Sequence, residues 1–156
     1  VLVRIFRKGA ILPAVLIFLI LGINNTAAAG DIILNDLGGS AVNLSIPKNK
    51  PAILFFWTTW CPYCRKEIKA LNQNYAQMEK EGITLFAVNI GESSDKVQRF
   101  FKDYALNLRA LLDKNGEAAD NYDVIGVPTY IFLNKAGQVI SHENTLPADY
   151  KNLLLK

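Results

Sequence analysis

The chain is 156 residues long, which leaves room for one domain and an appendage. Seventeen Lys and Arg stand against 14 Asp and Glu, but Arg4, Arg7 and Lys8 lie in a head that has no acidic residue. The rest of the chain therefore balances at 14 of each sign, which removes any charge argument for a nucleic-acid partner and leaves ~127 residues for a single buried core.

After the basic head, every residue from 10 to 23 (AILPAVLIFLILGI) is apolar, Gly or Pro. Asn24, Asn25 and Thr26 then lead to Ala27-Ala28-Ala29, small residues of the kind a signal peptidase reads. Residues 1–29 thus read as a secretory signal peptide cut before Gly30 or, if uncleaved, as an N-terminal membrane anchor. The 14 apolar residues fall short of the roughly 20 of a membrane span, although extension to Ala29 just reaches it. Both versions deliver residues 30–156 across the membrane as one domain. The expected location is periplasmic or extracytoplasmic, with membrane contact only through the N-terminal segment.

Residues 32–34 and 41–44 are short apolar runs around Asp36-Leu37-Gly38-Gly39 and predict a hairpin with a Gly-supplied turn. Residues 52–57 (AILFFW) are continuously apolar, as in a central strand covered on both faces. Pro62 suits the first position of a helix, along which Ile68, Leu71, Tyr75 and Met78 recur at helical spacing until Gly82. A second core strand is predicted at 83–88. A helix follows, capped by Ser93 or Ser94, with Val97, Phe100, Phe101 and Tyr104 on its apolar positions. A short strand at 108–112, a short helix at 117–122, a hairpin of 130–133 with 138–141 and a closing helix at 147–155 complete the chain. The pattern is α/β with a mixed sheet and an added N-terminal β-hairpin.

The only cysteines, Cys61 and Cys64, fall where the first core strand gives way to its helix. As a structural staple this loop would remove little unfolded-state entropy, about 2 kcal/mol, so a reactive pair is the better reading. Unpaired first-turn N–H groups and the helix dipole favour a thiolate at Cys61, the form that attacks disulfides. Cys64, one turn on, is placed to resolve the mixed disulfide. Pro62 removes a donor and stiffens the turn, and Tyr63 modulates packing and access between the sulfurs.

Metal readings are poor. Zinc needs two further ligands, and the chain has one histidine, His142, and no third cysteine. A copper-binding module would have to use Cys61, Cys64 and His142. Thr58-x-x-Cys61 matches the spacing around peroxidatic cysteines, but a strand rather than a Pro-rich loop precedes it. No metal and no cofactor is expected beyond the redox-active dithiol itself.

The stretches LFFWTTWCPYCRKE, FAVNIGES, YDVIGVPTYIFLNKAGQVI and the opening Leu37-Gly38 hairpin resemble the TlpA/ResA-like extracytoplasmic thiol–disulfide oxidoreductases of the thioredoxin superfamily, from Ile32 onward. The resemblance implies a thioredoxin-like fold in which Pro128 follows a cis peptide and faces the dithiol, while the backbone of Val127 pairs with substrate. Trp60, Pro62, Tyr63, Val127 and Pro128 form the implied substrate-binding set. Phe55 occupies the strand position where cytoplasmic thioredoxins carry a buried Asp. As in the resembled branch, Glu67 lies three residues after the second cysteine. Cys64 and Glu67, at i and i+3, share a helix face, so Glu67 is the implied acceptor of the Cys64 proton; the plainer alternative is a solvated helix residue. The Pro-Tyr dipeptide departs towards glutaredoxins and leaves the reduction potential open.

The function these features imply is reduction of disulfides in secreted proteins, apocytochrome c among them, with electrons from a membrane thiol–disulfide partner. A disulfide oxidase or isomerase is the alternative.

Overall fold

The computed structural model describes residues 32–44 and 49–154. The predicted 1–29 targeting segment lies outside the described residues. Among the described residues, no helix is long and apolar enough to cross a membrane.

One seven-stranded mixed sheet organises the domain. Its strands are β1 (Ile33–Asp36), β2 (Ala41–Asn43), β3 (Ala52–Trp57), β4 (Thr84–Ile90), β5 (Ala110–Asp113), β6 (Thr129–Leu133) and β7 (Val139–Glu143), in the order β2-β1-β5-β4-β3-β6-β7. Strands β3, β4 and β5 run parallel, while β1, β2, β6 and β7 join antiparallel. The expected N-terminal hairpin is therefore the extension of the sheet beyond β5. Its turn is closed by the Asp36 carboxylate, which accepts the N–H groups of Gly38 and Ser40, both at 2.9 Å. Gly39 turns there with φ of 85°, a conformation that favours glycine.

The continuous AILFFW run is explained by cover on both faces. Ile53, Phe55 and Trp57 point into the core shared with α1 (Pro62–Lys80) and α2 (Ser94–Asp103). Ala52, Leu54 and Phe56 point into the opposite core with Ala118 and Ala119 of α3 (Glu117–Asn121). Helix α1 buries Cys64, Ile68, Leu71 and Met78, spaced by three or four residues or by two turns, as one apolar stripe. The redox pair thus begins on the core-facing side of this helix.

Several element bounds differ from expectation by one to three residues; β4, for example, runs on to Ile90 and β5 starts at Ala110. Pro147 remains in a turn, with Tyr150 N–H bonded to the Pro147 carbonyl, so α4 covers only Tyr150–Leu154 among the described residues. A register shift at Phe132/Leu133 carries β7 on to Glu143. Tyr104 caps the C-terminus of α2 rather than entering the core; its half-exposed ring packs on Phe100 and lies under the Lys69 ammonium.

Candidate active site

Cys61 is the N-cap of α1, with extended backbone (φ −75°, ψ 118°), and Pro62 occupies the first helical turn. Its Sγ accepts the Cys64 N–H at 3.3 Å, so the sulfur occupies the position that Ser or Asp oxygens take in ordinary caps. On its other side Cys61 Sγ donates to the Val127 carbonyl at 3.8 Å. The Val127–Pro128 peptide is cis, as the resemblance implied. Both thiols are free and buried: 4% of Cys61 and none of Cys64 is exposed. Burial, reinforced by the contact with Cys61, pushes the Cys64 thiol up to about 12.

The loop that delivers Cys61 is held by a group that sequence reasoning missed. The buried Glu92 carboxylate accepts Thr59 N–H at 2.6 Å, Thr59 Oγ1–H at 2.7 Å and Asn89 Nδ2–H at 2.8 Å, and pairs with Lys96 Nζ at 2.6 Å. From the other side Arg65 Nε donates to the Thr59 carbonyl at 2.6 Å. Thr59, two residues before Cys61, is thus fixed at its N–H, its hydroxyl and its carbonyl. Burial by itself would raise the Glu92 carboxyl, but the hydrogen bonds from Asn89, Lys96 and Thr59 hold it below the ordinary carboxylate value. The only sequence signal was an acidic residue within the FAVNIGES run.

Glu67 is not a freely solvated helix residue. Its Oε2 accepts the Tyr130 phenol at 2.7 Å and the Leu146 N–H at 3.4 Å. Around the sulfurs, Trp60 and Tyr63 stand 64% and 74% exposed. Beside them a groove of about 430 Å³ runs between Thr58, Trp60, Ile90, Asp120, Ile125 and Val127, and Ile125 projects fully into solvent at its rim. His142 is exposed on β7, and no cluster of three or more His, Cys, Asp or Glu that could hold a metal occurs among the described residues.

A free dithiol at the N-terminus of a helix, facing a cis-proline loop at the end of a mixed sheet, defines a thiol–disulfide oxidoreductase of thioredoxin-like fold. Comparison with known proteins agrees: residues 26–142 match the AhpC/TSA family model, and the chain belongs to that family, within its ResA-like thiol–disulfide oxidoreductases. It is similar to the thiol–disulfide oxidoreductase ResA of Bacillus subtilis, at 34% identity over 137 residues, covering 85% of this chain and 76% of that protein. Among solved structures it is similar to StoA from Bacillus subtilis (27% identity, TM-score 0.66, covering 76% of this chain and 90% of that one). It also resembles a secreted Mycobacterium tuberculosis disulfide oxidoreductase homologous to Escherichia coli DsbE (28% identity, TM-score 0.65, covering 76% and 85%).

Proposed function

We propose that this enzyme works outside the cytoplasm as a reductase of disulfides in secreted proteins, apocytochrome c being one substrate, and is re-reduced by a membrane thiol–disulfide partner. Residues 1–29 act as the signal peptide or anchor that takes the domain there. Cys61 attacks a substrate disulfide and forms a mixed disulfide, releasing one substrate thiolate. Cys64 passes its proton to Glu67 and attacks the Cys61 sulfur. The Cys61–Cys64 disulfide forms, the second substrate thiolate leaves, and two electrons have moved from enzyme to substrate. Trp60, Pro62, Tyr63, Val127 and Pro128 form the surface on which the substrate segment is laid, with the neighbouring apolar groove receiving its side chains.

The observation that carries the reading is the free, buried dithiol at the N-terminus of α1, with Cys61 Sγ facing the Val127 carbonyl, in a chain 34% identical to the thiol–disulfide oxidoreductase ResA. Equilibration with glutathione buffers of known ratio tests the reading. A potential near thioredoxin's, about −270 mV, is expected, and one near about −120 mV would make the protein an oxidase.

A further inference from the structure

Tyr130 is fully buried and takes no direct part in the dithiol exchange. It stands two residues beyond Pro128 on β6, directly opposite Phe55 of β3, with the ring centroids 4.7 Å apart. Its ring lies in the same core cluster as Cys61 and Cys64. A buried phenol needs a hydrogen-bond partner. The partner here is Glu67 Oε2, at 2.7 Å. The same oxygen also takes the Leu146 N–H, whereas Oε1 accepts no hydrogen bond from the described residues. The two carboxylate oxygens are therefore unequal: one is pinned and the other is spare.

We infer that Tyr130 is a positioning residue for the resolving step, its phenol pinning one oxygen of Glu67 so that the other is presented to the Cys64 proton. The inference rests on the reading of Glu67 as proton acceptor given above. Burial, then the Glu67 carboxylate, then Cys64, drive the phenol's ionisation far above the ordinary tyrosine range. Tyr130 thus stays protonated throughout the working range, a fixed donor and not a competing base. Cys64 and Glu67 lie one turn apart on α1, and a carboxylate free to rotate would be drawn towards solvent. The phenol reaches it from the sheet, across the place where cytoplasmic thioredoxins keep their buried acid and this chain has Phe55.

The test follows the reduced full-length protein with a bis(thionitrobenzoate) disulfide, whose two coloured thiolates leave in separate steps. The first release reports attack by Cys61 and the second reports resolution by Cys64. Tyr130→Phe keeps the ring and its packing, and thermal unfolding verifies the fold. It should slow the second release about tenfold, the worth of one charge-assisted hydrogen bond, and leave the first within a factor of about two. The acid limb of the second step should also move to higher pH, which a packing change would not produce. Glu67→Asp, which retains an acid too short to reach the phenol, should slow the same step. In a Glu67→Gln background, Tyr130→Phe should add no further slowing. Second-step kinetics unchanged in Tyr130→Phe, or slowed equally with and without Glu67, would overturn the positioning role while leaving Glu67 as the base. An unaltered second step in Glu67→Gln would instead remove the base and the positioning role with it.

Discussion

Glutamine at position 92 preserves the shape of the buried acid and removes its charge, which tests what holds the loop before Cys61. Two of the present bonds, from Thr59 N–H and Asn89 Nδ2, end on Oε2 and can persist on an amide oxygen. The other two end on Oε1, which becomes an NH2 group. The Thr59 hydroxyl can turn and accept from that group. The Lys96 ammonium cannot, and being half exposed it moves into solvent at small cost. What is lost is chiefly the charge assistance on the buried bonds, so Glu92→Gln should destabilise the reduced protein by about 2 kcal/mol at neutral pH. The pH dependence follows from the depressed carboxyl. Its folded value lies below the unfolded value of about 4.3, so its contribution is fully present above that pH and is lost as pH falls through the folded value. Urea unfolding of both proteins, at neutral pH and below the carboxylate range, measures the gap. It should be widest at neutral pH and close in acid as the wild-type carboxyl takes up its proton. A gap of the same size at both pH values, or none at neutral pH, would refute the reasoning.

Two further predictions address the site. Cys64→Ser should accumulate a mixed disulfide through Cys61 when mixed with a protein substrate, seen on non-reducing gels; trapping by Cys61→Ser instead would reverse the two roles. Ile125→Asp places a charge on the fully exposed rim of the groove and should reduce turnover of protein disulfides about tenfold, as a lost apolar anchor does, with little effect on a small disulfide. Equal losses on both substrates would place the defect in the dithiol rather than in docking.

Much of this arrangement was legible from residue order. β3 was readable to the residue because cover on both faces leaves an unbroken apolar run, and α1 because Pro62 and Gly82 punctuate it. The pairing of Cys61 with Cys64 needed only the geometry of one helical turn. Illegible were the contacts whose meaning depends on tertiary approach. Glu92 reaches Thr59 across 33 residues, and Tyr130 reaches Glu67 across 63. In sequence, Glu92 is one acid among 14 and Tyr130 is one aromatic in a strand, so neither advertises a polar role. Asn72 was silent for the same reason: its side-chain oxygen accepts the N–H groups of Asn107 and Leu108 just before β5.

Cys64 is the first member of the stripe that α1 presses into the core. A packed interior has no space for a foreign group on that sulfur, so stray adducts with small thiols or oxidants are steered to Cys61. There the neighbouring Cys64 can displace a small thiol as it displaces substrate, and a sulfenic acid condenses with it to the same disulfide. Such side reactions then drain back into the working cycle, and the packing of one helix guards the enzyme against dead-end modification.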